Sequence, residues 1–387
     1  MSQRVQQTAE LTDILAQLQQ GAALPFERAL ALPPDVYTSD AFLAAEIAQI
    51  FATEWLCVGR VDDISRTGDY VTTDIPGLPI VTLRGETGEI LSFSNVCAHR
   101  GMRLLSGQGQ CGRHIVCPYH AWTYGLDGHL ASAPRLKQRP DFIAAEHGLA
   151  TVRTDIWQGW IYVTANDALP PVAQHVAELD AAISRYRADR YQQILKEEMV
   201  WKTNWKILME NFMEDYHLPK VHKATISGYS PTNEVEVFEG RPTFSWHVNR
   251  KTPGAPRGLA HPSNTHLDGD WRRTTVLFAL LPGHLVNLSP DHLWSLSLLP
   301  VGTDRVRIRF GLSYAPEVLA DVADREAFTA EWKGFFDRVN AEDRGVVEGV
   351  RSVIGSRLAK PGPICDLERF TYDFGRYLLR KIVGEAV

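Results

Sequence analysis

The spacing of apolar residues changes character twice along this chain. Residues 8–31 read as a helix followed by a polar connector. Ser39 and Asp40 form a helix start, and Phe42, Ile47, Ile50 and Phe51 fall on one side of the stretch from Ala41 to Trp55. From Leu56 to about Ile161 the pattern turns into short β runs broken by Gly, Asp and Pro, such as 70–73, 79–83 and 90–93, with turn signals at 85–88 and 127–128. Residues 168–171, Ala-Leu-Pro-Pro, make a linker. Beyond it come a polar helix (172–186), a strand-like run (196–202) and a helix from Trp205 to Tyr216. Four longer strands follow, 243–249, 274–281, 293–300 and 305–314, and a long amphipathic helix from about Asp324 to Leu358 closes the pattern. This predicts an α+β protein: a helical segment 1–50 packing on the last domain, an all-β domain over 51–167, and a domain over 168–387 with an antiparallel sheet folded around a helix.

Composition narrows the choice of chemistry. A chain of 387 residues is too long for one ordinary core. A net charge of −6 with no basic block makes nucleic acid a poor partner. No apolar run reaches the roughly 18 residues of a membrane helix, and the N-terminal residues 1–20 lack the basic start and apolar stretch of a secretory signal. Five cysteines are too few for a disulfide framework. The expected location is a reducing cytoplasm.

Two of those cysteines stand in short mixed motifs. Cys97-Ala98-His99 is followed, after residues 100–116, by Cys117-Pro118-Tyr119-His120. A structural zinc site groups its ligands like with like. One thiol and one imidazole per motif is the ligand set of a Rieske [2Fe–2S] cluster, in which two Cys hold one iron and two His the other. Cys111 and His114 also have the Cys-x2-His spacing and compete with Cys117 and His120; they are expected at the tip of a β-hairpin between the two loops.

A second constellation lies between Asn204 and His222. His217 and His222 are five apart, which an unbroken helix would put about 140° apart; Pro219 between them breaks the helix so that His222 swings back. Two His with a carboxylate suit a mononuclear Fe(II). The last helix offers the third group. Its apolar stripe runs Trp332, Phe336, Val339, Val346 or Val347, Val350, Ile354, and Asp343 sits on it. A buried carboxylate needs a cation or a hydrogen-bond partner, so the alternative is a salt bridge to Arg. Glu342 and Glu348 point off the stripe and are read as solvated.

Taken together, the chain resembles the α (oxygenase) subunits of Rieske non-haem iron oxygenases, the aromatic-ring-hydroxylating superfamily, from about Trp55 to the C-terminal helix. The family's Cys-Pro-Tyr-His followed by Trp is matched by Cys117, Pro118, Tyr119, His120 and Trp122. The resemblance implies a Rieske [2Fe–2S] domain and a helix-grip-like catalytic domain, with Asp343 as the third ligand beside His217 and His222. It implies that Glu214, on one helix face with His217, links the cluster of one subunit to the iron of its neighbour, and that Asn211 lies close to the iron. Asp215 is the competing carboxylate. Electrons would come from NAD(P)H through a flavin/iron–sulfur reductase, or a ferredoxin plus reductase, and a head-to-tail ring, usually a trimer, would join the two metal sites. Members that attack aromatic rings mostly carry Asp at the Glu214 position; Glu is typical of the branch that oxidises choline, betaine and carnitine, which also suggests no β subunit.

The residues leave two substrate classes open. A small quaternary ammonium compound, hydroxylated or N-demethylated, would stack on Trp246, Trp271, Phe278 or Trp294. An aryl acid would instead use Arg250, Lys251 or Arg257 on the segment 250–271, which reads as a mobile loop over the pocket, with His261 and His266 at the surface. A Rieske electron carrier is the non-enzyme alternative, but more than 200 residues follow the β domain.

Overall fold

The computed structural model describes residues 3–384 and falls into two compact units, 51–172 and 1–50 with 173–387. No helix among the described residues is long and apolar enough to cross a membrane.

The 51–172 unit is built from β1 (Leu56–Arg60), β2 (Asp69–Ile75), β3 (Leu78–Arg84), β4 (Ile90–Ser94), β5 (Gln108–Gln110), β6 (His114–Val116), β7 (Thr123–Gly125), β8 (Leu130–Ser132), β9 (Thr151–Trp157) and β10 (Trp160–Thr164). Seven of them form an antiparallel sheet in the order β1-β10-β9-β4-β3-β2-β5, and β6-β7-β8 form a second. Alternation in β2 puts Val71 and Ile75 inward, while β3 and β4 send Val81, Leu83 and Phe93 into a core that also buries Ile115, Trp122 and Tyr124. The linker stays with this unit: Trp55 Nε1 donates to Pro170 O (3.0 Å) and Val172 N to Asp155 Oδ2 (2.7 Å). The hairpin expected around Cys111 does not form. β5 pairs with β2 and β6 with β7, so residues 111–113 carry the chain from one sheet to the other. Gly112, at φ 69°, supplies the bend.

The other unit carries a seven-stranded antiparallel sheet, β11 (Gln192–Trp201), β12 (Val235–Val237), β13 (Phe244–Arg250), β14 (Thr274–Leu280), β15 (His284–Leu288), β16 (His292–Pro300) and β17 (Val306–Tyr314), in the order β11-β17-β16-β15-β14-β13-β12. β12 and β15 were not legible as periodic runs because they are only three and five residues long. Among its helices are α1 (Gln3–Ala22), α2 (Asp40–Glu46), α3 (Trp205–Phe212), α4 (Arg325–Val353) and α5 (Arg369–Val383). The pattern does not close at α4. α5 follows, burying Phe370, Phe374, Tyr377 and Leu378 and touching the end of α1 through Tyr372 Oη to Leu24 O (2.9 Å).

α3 sits deep in this unit because three of its polar groups find buried partners. Asn204 caps it, accepting from Lys206 N (3.0 Å). Lys206 Nζ pairs with Glu46 of α2 (2.6 Å), which also accepts from Trp205 Nε1 (3.2 Å). Tyr37 Oη donates to Glu210 (2.8 Å), and burial pushes the Glu210 carboxyl up to about 8. The predicted helix over 205–216 stops at Phe212.

Candidate active site and metal centres

Two turns of the β unit hold the first constellation, and they share one backbone design. Cys97 N donates to Met102 O (2.8 Å) and Gly101 N donates back to Cys97 O (3.0 Å); Cys117 N donates to Trp122 O (2.8 Å) and Ala121 N to Cys117 O (3.1 Å). The fifth position of each turn has positive φ, 73° at Gly101 and 56° at Ala121. The alanine holds a conformation that costs about 1–2 kcal/mol; such strain clusters at functional sites. Both thiols are buried, at 2% and 3% exposure, whereas His99 and His120 are exposed, their ring centroids 4.8 Å apart. Trp122 stacks under His99 (4.8 Å, 7°), and Tyr124 Oη lies 3.3 Å from Cys97 Sγ while accepting from Ala98 N (3.1 Å). Desolvation, then the charges of His120 and Arg100, lower the His99 pKa, which favours the neutral ring a metal needs. One buried thiol and one outward imidazole per turn is a donor set that fits a mixed-ligand [2Fe–2S] cluster. Cys111 is turned elsewhere: its amide and thiol both meet Gly68 O (2.9 and 3.3 Å).

The second constellation is assembled across the catalytic unit. Because α3 ends at Phe212, Glu214 and His217 do not share a helix face. Glu214 instead folds its carboxylate back, Oε2 accepting from His217 N (3.0 Å) and Oε1 lying 2.6 Å from His217 Nδ1. That local bond competes with continued helix and explains the early stop. Pro219 starts a new one-turn helix, Leu218–Val221, with His217 just before it and His222 just after. Both imidazoles then face α4. Asp343 Oδ1 is 3.0 Å from His222 Nε2 and 3.6 Å from His217 Nε2. One donor atom from each of the three lies within 4.8 Å of the others. No arginine approaches Asp343 among the described residues; its ion-pair partners are these two histidines.

Glu342 corrects the helix-wheel reading. It is not solvated: Oε2 lies 2.8 Å from His222 Nδ1 and accepts from Thr225 Oγ1 (2.6 Å). Adjacent carboxylates of α4 thus address the two nitrogens of one ring. The missed signal was the neighbouring acid pair itself, since an imidazole offered to a metal by Nε2 requires an acceptor at Nδ1. Glu348 is also engaged, by Lys202 N (3.0 Å) and Arg344 Nε (2.8 Å). The buried stripe of α4 runs through Val347, while Val346 and Val350 are exposed because the helix leaves the core there. Desolvation opposes a charge on His217 and His222, but the neighbouring carboxylates outweigh it and raise both pKa values: Glu214 then Asp343 at His217, Asp343 then Glu342 at His222. Two imidazoles held by three acids, Glu214, Glu342 and Asp343, form a site prepared for a cation, and the donor set fits a mononuclear iron.

Asn211, Glu214, His217, His222 and Asp343 all line one cavity of about 470 Å³, with Phe212 and Trp294 as its aromatic wall. Of the four aromatics predicted to form that wall, only Trp294 reaches it. Trp246 stacks on Phe238 (4.2 Å), Trp271 lies against Tyr186, and Phe278 is core. Asp215 also borders the cavity, but its carboxylate accepts from Asn249 Nδ2 (2.8 Å) and faces His247; those two groups outweigh desolvation and hold its pKa down to about 2. The 250–271 segment is fastened rather than loose: Arg272 donates to the carbonyls of His261, Asn264 and Leu267, and Gly258 N to Asp291 (2.9 Å). His261 and His266 are half-buried within it.

A family model described as ring hydroxylating alpha subunit (catalytic domain) matches residues 185–384, and one described as Rieske [2Fe-2S] domain matches residues 54–153. The chain is 27% identical over 337 residues to the carnitine monooxygenase oxygenase subunit of Escherichia coli strain K12, covering 86% of both. It is 28% identical over 381 residues to the glycine betaine monooxygenase oxygenase subunit of Chromohalobacter salexigens, covering 89% of this chain and 83% of that one. The solved structure of the quaternary ammonium Rieske monooxygenase CntA matches with a TM-score of 0.79 at 21% identity, over 96% of this chain and 98% of that one, a likeness of fold. The chain belongs to the ring-hydroxylating α-subunit family of Rieske non-haem iron oxygenases. It is the oxygenase component of a multicomponent system, using a Rieske cluster, a mononuclear iron, O2 and electrons that a reductase draws from NAD(P)H.

Proposed function

We propose that this chain hydroxylates a small quaternary ammonium compound at an N-methyl group or a carbon near the nitrogen. The overall balance is substrate C–H, O2, NAD(P)H and H+ to C–OH, water and NAD(P)+; an N-hydroxymethyl product loses formaldehyde and leaves the demethylated amine. The observation that carries the reading is Glu214: a glutamate rather than an aspartate, 2.6 Å from His217 Nδ1. The names of the relatives agree with it. When bound, the cluster and the iron supply one-electron transfer and O2 activation.

Each side chain then has a role. Cys97, His99, Cys117 and His120 hold the cluster, and His217, His222 and Asp343 hold the iron. Glu214 and Glu342 fix the protons of His217 and His222 on Nδ1, so that both rings present Nε2 to the metal. Asn211, on the cavity wall, positions substrate. Glu214 also connects the iron site of one subunit to the cluster of the next in a head-to-tail trimer; the exposed rings of His99 and His120 leave that edge open to a neighbour. A reducing cytoplasm suits five unbridged cysteines.

The test is NADH and O2 consumption with matched product, reconstituted with a reductase, against trimethylammonium compounds and aryl acids. Coupled turnover of the ammonium series alone supports the reading; coupled turnover of aryl acids alone rejects it. In Glu214→Gln both metals should stay bound while turnover falls about 10- to 100-fold.

A further inference from the structure

The cavity at the proposed iron site adjoins a second, of about 360 Å³, and Ile226, Lys251, Asn287 and Trp294 border both. Lys251 is the exceptional wall residue. At the end of β13, Arg250 pairs with Glu236 (2.8 Å) at the surface, while Lys251 is buried at 6% exposure. Its Nζ donates to Ser230 Oγ (2.7 Å), the one acceptor it has among the described residues, and no carboxylate reaches ion-pair distance. The two nearest acids are already engaged, Asp215 by Asn249 and His247, and Asp291 by His292 Nδ1 (2.7 Å) and Gly258 N (2.9 Å). An ammonium has three donors, so two are left without an acceptor among the described residues, on a side chain that lines both cavities. A buried charge without a counter-ion is costly, and proteins keep one where a ligand supplies the opposite charge. On the wall of the second cavity Arg257 lies over Trp332 and Phe335 (4.6 and 4.2 Å); its Nη2 is 3.6 Å from Glu331 at the outer side, and its buried Nε has no hydrogen-bond partner among the described residues.

We infer that Lys251, with Arg257 behind it, is the subsite for a carboxylate on the substrate. The substrate class is then a trimethylammonium acid, a betaine, rather than an ammonium alcohol. The ammonium half of that statement rests on the function proposed above; the carboxylate half does not. Two cations repel an ammonium and attract the acid end, which turns the cationic end toward Phe212, Trp294 and the acidic groups around the iron. Ser230 holds the Lys251 side chain in place, so little ordering remains to be done on binding.

The experiment is isothermal titration of the metal-loaded protein with short trimethylammonium carboxylates, their methyl esters and the matching alcohols. The wild type should bind the acids at least about tenfold more tightly than the esters or alcohols. Lys251→Met should remove that preference while leaving ester and alcohol affinities within twofold, and Lys251→Arg should restore most of it. The cluster's visible spectrum reports whether each variant is folded. If Lys251→Met fails to fold, the wild-type ratio and a reduced ratio in Arg257→Gln decide instead. Equal wild-type affinity for acid and ester, or parallel weakening of both by Lys251→Met, overturns the inference. If no ammonium compound binds, aryl carboxylates and their amides are titrated. A Lys251-dependent preference for the acid there keeps the subsite and rejects the ammonium reading; its absence in both series rejects the subsite.

Discussion

His99 and His120 stand on two copies of one tight turn, each closed by its own backbone hydrogen bonds and each bringing a thiol with it. His217 and His222 flank a single helical turn and depend on α4, more than a hundred residues later, for both the third donor and the carboxylate that orients His222. The first site is local geometry placed on a β scaffold. The second is tertiary geometry, held by acids around the rings. The difference teaches what each should tolerate. A local site survives changes in distant helices and fails with its own loop. An assembled site loses its metal to a single substitution on either contributing element.

The largest expected effects break the comparison cleanly. Asp343→Ala should drop iron from about three per chain to about two, abolish turnover and leave the cluster spectrum intact, while Cys117→Ala should bleach the cluster. Loss of the cluster in Asp343→Ala would show that the two sites are not independent. Glu342→Gln is gentler: it keeps all three proposed ligands but loses the acceptor charge at His222 Nδ1, so mononuclear iron should bind about tenfold more weakly with cluster content unchanged. Metal titration against a competing chelator reads this out, and unaltered affinity would return Glu342 to a surface role.

A pH experiment reaches the scaffold of the assembled site. Glu210 on α3 has its carboxyl raised to about 8 by burial. A raised acid favours the folded state fully below its unfolded value of about 4.3, and that contribution is lost as pH rises toward 8. Melting of Glu210→Gln against wild type should therefore show a gap that shifts in the variant's favour across that window and flattens above it. A gap that does not vary with pH would mean Glu210 is not the titrating group. The smallest effect sharpens the local side: Cys111→Ala should leave the cluster's visible and EPR spectra unchanged, since its thiol meets Gly68 O rather than either turn. A bleached variant would overturn the assignment of Cys117.

Short-range order was readable from the chain alone. Cys97, His99, Cys117 and His120 declared themselves because donor type and spacing lie within two short motifs, and strands such as β14 and β16 because a buried apolar run is written residue by residue. His217, His222 and Asp343 could be picked out because Pro219 interrupts a helix and because an acid interrupts the apolar stripe of α4. Groups whose meaning depends on what they face could not be read this way. Glu342 looked solvated because a helix wheel knows the angle of a side chain but not the ring of His222 waiting across the gap. Lys251 stood in the sequence beside Arg250 and Arg257 as one of three bases able to hold a carboxylate; that it is buried, with Ser230 as its one acceptor among the described residues, is not written there. Periodicity encodes which face of an element is apolar; it carries no information about which polar group from a distant element will meet it, and that meeting was decided by tertiary packing.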